Sequence, residues 1–332
     1  MATQSNSLSA KAYRGNDRVL FGFILGLLSF WLFGMTILNV NVVMNQDLGL
    51  PNSSLNLAVS ITALFSGMTV VVFGGLADKI GRVKITRLGF IFAIVGAALI
   101  AIVPGKSGLT FPVLLTGRIL QGLSAACIMP ATLSLLREYW DEKGRQRAVS
   151  LWSMGTWGGT SFAALVGGAM ADNLGWRWIF IVSCVLSVLG LFLIRDLPES
   201  KAEQKGKTRF DYLGMLLFMF FIVALQLFVS KGSEWGWGST KSLILAGISI
   251  VFLILFIIFE LKKKESPFID FSLFRNKTFT GATVSNLILN STSGVLIVTL
   301  MLMQQGGGIS ADTTGYLTLG YGVVILLFIR VG

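Results

Sequence analysis

The chain has 332 residues, 54% hydrophobic and only 13% charged, with a mean hydropathy of +0.76. That composition excludes a soluble core and places the chain in lipid. A net charge of +11 invites a nucleic-acid reading, which the placement of the bases argues against, and the absence of histidine excludes imidazole metal sites and His-based catalysis.

About 20 apolar residues span a bilayer as a helix. Ten such runs occur, near residues 18–44, 54–77, 85–104, 110–137, 148–171, 176–195, 212–230, 242–261, 279–303 and 313–330. They lack the alternation of barrel strands, and only helices or closed barrels pair every backbone group in lipid. The predicted class is an all-α polytopic membrane protein with ten transmembrane helices. Residues 1–17 form a polar tail with no apolar core or cleavage site, so no removable signal peptide is expected. Residues 18–195 hold six spans with short connections, a six-helix bundle. Residues 196–211, within RDLPESKAEQKGKTRFD, read as a linker, and 212–261 as two additional helices. Residues 262–278 form a second charged loop, and 279–332 the first two helices of an incomplete second bundle.

Lys and Arg concentrate in the tail, in alternate inter-span loops and after the last run. The exceptions among the 27 are Lys106, Arg177, Lys231 and Lys241 in the other loops, and Arg118 within a span. This asymmetry is the positive-inside pattern and predicts a cytoplasmic N-terminus. The basic charge therefore reports orientation and contact with lipid headgroups, not nucleic acid.

In chain order, the first span offers Trp31, Asn39 and Asn41 as lining for a cavity that should be apolar and aromatic with a few polar anchors. Between the second and third runs lies GGLADKIGR, a tight charged hairpin. Gly74, Gly75 and Gly81 permit a sharp reversal. Asp78 can bond Arg82 or nearby amides and stabilise the N-terminus of a helix from an opposite bundle. The functional reading of Gly74, Asp78, Gly81 and Arg82 is a cytoplasmic latch; the alternative is a solvated hairpin that sets topology.

Arg118 lies about 12 Å inside the fourth span. At that depth a charge should face the protein interior or a watery cavity, and Gln121, Gly122 and Ala125 share its face. The competing reading is a structural arginine bonded to carbonyls of a neighbouring helix. In the fifth span Gly155, Gly159, Ala163 and Gly167, with Gly168 beside them, form a small-residue ladder suited to close helix packing. Asn286 and Asn290 sit one turn apart in the ninth run and complete the cavity candidates. All sixteen acids lie in loops or at helix ends, so no obvious proton carrier sits in mid-span. Arginine cannot serve, because it stays protonated. Cys127 and Cys184 fall within spans and suggest packing thiols. Gly105-Lys106-Ser107 lacks the first glycine of a phosphate loop, Ile100 standing there, so ATP-driven transport is not expected. Neither a metal site nor a nucleophile–base pair is visible, and no enzyme activity is expected.

GGLADKIGRVK resembles the signature of the major facilitator superfamily, with Lys79 and Val83 in place of two bases. GRILQG, Gly117–Gly122, resembles its fourth-helix motif, matching at Arg118 and Gln121. TILNV (Thr36–Val40), GWRWIF (Gly175–Phe180), FDYLG (Phe210–Gly214) and PFIDFSLFRNKTFTG (Pro267–Gly281) extend the likeness to the fourteen-helix drug:proton antiporter branch. LAVSITALFSGM and GRILQGLSAACIMPATLSL resemble the quinolone and multidrug exporters of that branch. The resemblance implies a major facilitator fold with four further helices beyond Gly332. It also implies export of amphipathic drugs, a proton gradient in place of a cofactor, a bacterial plasma membrane and a monomer. Two departures touch positions it ties to proton coupling. Gly34 stands where many relatives carry Asp, and Ala163-Ala164-Leu165-Val166-Gly167-Gly168 lacks the fifth-helix proline. Three readings follow: a proton-coupled drug exporter, a carrier of one native solute, and a non-transporting membrane sensor or scaffold.

Overall fold

The computed structural model describes residues 13–34, 36–202, 211–263, 268–269 and 271–309, with single positions between 313 and 327. Every regular element among them is helical. In order these are α1 (Asp17–Gly34), α2 (Thr36–Asn39), α3 (Asn41–Leu48), α4 (Asn52–Ile80), α5 (Arg82–Ala101), α6 (Thr110–Tyr139), α7 (Glu142–Ser153), a π-turn (Met154–Gly158), α8 (Gly159–Asn173), α9 (Arg177–Leu193), α10 (Tyr212–Trp235), α11 (Thr240–Lys262), a 3-10 turn (Phe271–Arg275) and α12 (Lys277–Gly307). The chain divides into two compact units, residues 1–202 with 300–332, and residues 203–299.

Five described helices are long and apolar enough to cross a membrane: Ser54–Ile80, Arg82–Ala101, Thr110–Tyr139, Tyr212–Gly232 and Thr240–Lys262. Of the other expected spans, the ninth lies within α12 and the first, fifth and sixth differ in form. The first is interrupted between α2 and α3, where Val40, between two asparagines, leaves helical geometry at φ −105°, ψ 9°. Bonds from Val40 N to Thr36 O (3.0 Å) and Met44 N to Val40 O (2.9 Å) still bridge the break. The fifth contains the π-turn Met154–Gly158, where glycines weaken the regular ladder. The sixth, α9, has 17 residues and is the short one. Most of the tenth, 313–330, lies outside the described residues.

In the first unit α6 is central and packs along α4 and α5, and α9 packs against α1 and α5. Close approach of α5 and α6 depends on Gly96 and Gly117. A Cβ on either would sit 2.8–2.9 Å from the other's carbonyl oxygen. Two apolar cores fill the ends. One gathers Leu20, Phe23, Leu27, Phe90, Ile128, Leu135 and Ile194; the other gathers Ile37, Met44, Leu55, Ile100, Leu114, Ile179 and Phe180. The outer faces are apolar as well: Phe21, Ile91, Val95, Val185 and Phe192 are exposed. Large apolar side chains outside and an arginine with zero exposure inside suit a lipid surround.

In the second unit α10 and α11 form an antiparallel pair. Phe220 stacks on Phe252 at 5.1 Å, and Phe218 meets Phe256 at 5.4 Å. Phe268 and Phe271 then fold back onto Phe218 and Phe256, with ring centroids 5.7 and 6.2 Å apart.

Candidate functional site

GGLADKIGR is not an open hairpin. Helix α4 continues through Ile80 and α5 starts at Arg82, so Gly81 alone makes the turn, at φ 135°. Gly74 lies inside α4, where its Cβ position is 3.5 Å from Pro130 of α6, an ordinary contact. The expectation that several glycines make the reversal is corrected to one. The fold continues the helix because Leu76, Ala77 and Ile80 keep its apolar spacing, and Ala77 joins a core with Ile85, Cys127 and Ala131.

Arg82 organises the end of the first unit where α4 closes, α5 opens and α6 ends. Its Nε donates to Asp78 Oδ1 at 2.8 Å, and its Nη1 to Glu138 Oε2 at 2.5 Å and Ser200 Oγ at 3.4 Å. Ser200 Oγ also donates to Glu138. The segment after α9 crosses this node. Glu199 accepts the Val83 and Lys84 amides at 2.9 and 3.1 Å, capping the first turn of α5. The Arg82 amide donates to Ser200 O (2.9 Å) and the Ala202 amide to Asp78 O (3.2 Å). Tyr139 Oη donates to Pro198 O at 2.6 Å. Gly81 is doubly required, because a Cβ there would lie 2.4 Å from Glu199 Cδ. Sequence reading finds Asp78, Gly81 and Arg82 but misses Glu138, Glu199 and Ser200. The available signal is the Pro-Glu-Ser run just beyond the sixth span, which reads as linker.

Arg118 and Gln121 are brought together in mid-bundle. Arg118 Nε donates to Ala58 O at 3.0 Å, and Nη1 to Gln121 Oε1 at 2.8 Å. Thr62 Oγ1 returns a bond to Arg118 O at 3.0 Å. A Cβ at Gly122 would sit 2.5 Å from Thr62 O, so that glycine admits α4. The carbonyl bond to a neighbouring helix is the structural alternative set out for Arg118. Both side chains are buried, and neither opens onto a described cavity.

The small-residue ladder meets the first span of its own unit. Cβ positions at Gly155 and Gly159 fall 3.1 Å from Ile24 and Leu28, and that of Gly167 only 2.2 Å from Thr36 Cγ2. Gly168 is buried; the side chain of Ala163 lies outside the described residues. Trp31 meets Phe30 edge-on at 5.4 Å and flanks Gly159. Asn39 and Asn41 bound the break between α2 and α3, with side chains outside the described residues. Asn286 and Asn290, in the second unit, are exposed, and Asn290 Nδ2 donates to Asn286 O at 2.8 Å. The Asn290 amide is thus partnered within α12.

The described cleft, about 420 Å³, lies at the other end of the first unit, lined by Val43, Asp47 and Leu174–Trp178. Asp47 accepts from Trp176 Nε1 at 3.0 Å and from Arg177, whose Nη2 donates to Val103 O at 3.1 Å. The guanidinium lies 4.4 Å over the Trp176 ring. Burial resists ionisation of Asp47, but the bonds from Arg177 and Trp176 and the charges of Arg177 and Lys106 outweigh it and hold the carboxyl below its usual range. This clasp gives GWRWIF a structural task.

A model of the Major Facilitator Superfamily matches residues 22–332. The chain belongs to that superfamily. It is a multi-pass membrane transporter by family and not an enzyme. Quinolone resistance protein NorB of Staphylococcus aureus, in strains MSSA476 and Newman, is 46% identical over 325 residues, covering 98% of this chain and 69% of the relative. Solved transporters share the fold at lower identity. A peptide transporter POT in complex with sulfate superposes with a TM-score of 0.55 at 18% identity, covering 77% of this chain and 56% of that one. A mutant form of peptide transporter POT gives 0.59 at 15%, covering 97% and 70%. The stretch that resembles the superfamily signature carries the Arg82 node, and the one that resembles its fourth-helix motif carries Arg118 and Gln121.

Proposed function

We propose that this superfamily member exports amphipathic drugs, quinolones and cationic compounds among them, across a bacterial plasma membrane by proton-coupled alternating access. The observation that carries the reading is the 46% identity to quinolone resistance proteins along 98% of the chain. The N-terminus is cytoplasmic, the unit of function is a monomer, and the proton gradient replaces any cofactor.

In this reading the Asp78–Arg82–Glu138 node, braced by Glu199 and Ser200, is the latch at the cytoplasmic end. It ties the end of α4, the start of α5 and the end of α6 to the segment after α9. Arg118, positioned by Gln121, holds α4 to α6 deeper in the bundle and polarises its interior. Trp31, Asn39 and Asn41 are the substrate-cavity candidates of the first unit and Asn286 and Asn290 those of the second, and the glycine ladder is a packing seam.

Dye and quinolone efflux from energised cells, with and without a proton uncoupler, tests the reading. Efflux that collapses with the uncoupler supports it. Uncoupler-insensitive efflux refutes proton coupling. Uptake of a single solute with no drug efflux favours a native-solute carrier, and tight binding without transport favours a sensor.

A further inference from the structure

The two-helix unit holds a buried polar node that the proposed latch does not use. Asp211, 4% exposed, caps α10, its Oδ1 accepting the Gly214 amide at 2.9 Å. Its Oδ2 lies 2.7 Å from Lys263 Nζ. Glu260, 3% exposed near the end of α11, accepts the Ile269 amide on Oε2 at 3.2 Å. Its Oε1 has no donor among the described residues. That oxygen and Asp211 Oδ2 converge above Gly214, where a Cβ would lie 2.1 and 2.7 Å from them. Only glycine leaves room for the pair.

Ionised carboxylates are acceptors only, so two such oxygens facing each other out of water repel. A single proton between them replaces the repulsion with a charge-assisted hydrogen bond. Lys263 then balances the one remaining negative charge. A metal ion does not fit, because the Lys263 ammonium occupies the approach and the described residues hold no group of three acidic or thiol ligands.

We propose that Asp211 and Glu260 form a proton-binding site, with one proton shared between Glu260 Oε1 and Asp211 Oδ2, and that the proton clamps the Phe268–Ile269 backbone to the ends of α10 and α11. Loss of the proton leaves two carboxylates against one ammonium, and their repulsion turns the Glu260 carboxyl away from Asp211 and so off the Ile269 amide. Burial opposes ionisation of Asp211, but Lys263, the Gly214 amide and the Glu260 carboxyl together hold its pKa below the ordinary value. The anion is therefore Asp211, and the proton stays with Glu260. Among the described residues Lys263 is the one cation facing the pair. Tyr212, Lys262, Arg275 and Lys277 are exposed, and at the far ends of α10 and α11 Lys231 pairs with Glu234 at 2.6 Å while Lys241 faces Trp235. The sign follows. Raising pH removes the shared proton and opens the clamp, whereas lowering pH through the depressed Asp211 pKa breaks the Lys263 contact. The clamp holds in between.

Infrared difference spectroscopy on the purified full chain tests the proton directly. A protonated-carboxyl band should vanish on alkalinisation in the wild type and be absent from Glu260→Gln. Hydrogen exchange at the Ile269 amide should lose protection as the band vanishes, while Glu260→Gln, which donates to Asp211 without titrating, stays protected in alkali. If Glu260→Gln proves misfolded, Asp211→Asn supplies the donor from the other side and should keep protection in alkali. The site is refuted if wild type and Glu260→Gln give the same carboxyl band at all pH, or if both glutamine and asparagine variants follow the wild-type exchange profile. None of these readouts depends on drug export.

Discussion

Removing the carboxylate of Glu199 isolates what the segment after α9 does for the motif it crosses. Glu199 accepts two successive amides, Val83 at 2.9 Å and Lys84 at 3.1 Å, at a helix start whose amides have no intrahelical acceptor. A hydrogen bond to a charged group contributes about 1.5–3 kcal/mol when buried, and loss of a side-chain cap costs about 0.5–2 kcal/mol. Glu199 is half-buried, so solvent screening moves the sum toward the lower figures. Glu199→Ala should therefore weaken the first turn of α5 by roughly 1–2 kcal/mol, and Glu199→Gln, which keeps one acceptor, by about half as much. Since about 1.4 kcal/mol is a tenfold change in an equilibrium, the Val83 and Lys84 amides should exchange about tenfold faster in Glu199→Ala. Hydrogen exchange on the reconstituted protein measures this, with amides near Ile100 at the far end of α5 as the internal control. Equal exchange at Val83 and Lys84 in wild type and Glu199→Ala, with the protein folded, refutes the capping role. Uniform acceleration along all of α5 refutes its local nature.

Asp78→Asn keeps an acceptor for Arg82 Nε but removes the charge, and should abolish drug export while surface expression stays normal; export at the wild-type rate sinks the latch. Gly81→Ala imposes a side chain at φ 135° with its Cβ 2.4 Å from Glu199 Cδ, so it should cost about 1–3 kcal/mol and show as a lowered thermal midpoint in detergent, larger than for Gly74→Ala. Arg118→Lys cannot reach both Ala58 O and Gln121 Oε1 with a planar fork. If the arginine is structural, thermal stability and export fall together; if it acts in coupling, export falls with stability preserved, so paired melting and efflux measurements separate the two. The Asp47 carboxyl is held below its usual range, so the Asp47–Arg177 clasp contributes stability that is present above the unfolded-state pKa of about 3.9 and is lost as pH falls through the lower folded value. Tryptophan fluorescence should be flat through neutral pH and change only in strong acid, and Asp47→Asn should remove that acid transition.

The fold class was legible because long uncharged runs in lipid have few ways to satisfy their backbones. Helix-level detail was not. Composition could not show that α4 runs unbroken through Ile80, because glycine, aspartate and lysine in a row read as a loop when their neighbours in space are unknown. Arg118 and Gln121 were legible as a pair from their three-residue spacing, and an arginine in a span demands a partner. Its partner, the Ala58 carbonyl, carries no sequence mark. Glu199 was hidden for a similar reason: a charged residue after a span looks solvated until the start of α5 is placed beside it. Glu260 was grouped with the acids at helix ends, which is correct in sequence, yet the returning Phe268–Ile269 backbone buries it.

Under the proposed alternating access one half of a carrier must move as a body, and the two charged nodes of the first unit act on the same helices at two depths. At one end of the unit Asp78 closes α4, Arg82 opens α5 and Glu138 ends α6, so a single guanidinium joins three helices. In mid-bundle Arg118 of α6 bonds a carbonyl of α4 while Thr62 of α4 bonds a carbonyl of α6. That exchange resists both sliding and rotation of the two helices, because either motion breaks one bond of the pair. At the Arg118 level, one residue along α6, Gly117 and Gly96 press α5 onto α6 at backbone distance. Charge in this unit is thus spent on holding helices α4 to α6 together, and the same helices present apolar faces outward. A latch built on Arg82 consequently acts on a rigid block: releasing it shifts α4, α5 and α6 as one, and a substitution at Arg82 should disturb transport more than it disturbs the packing of any one helix.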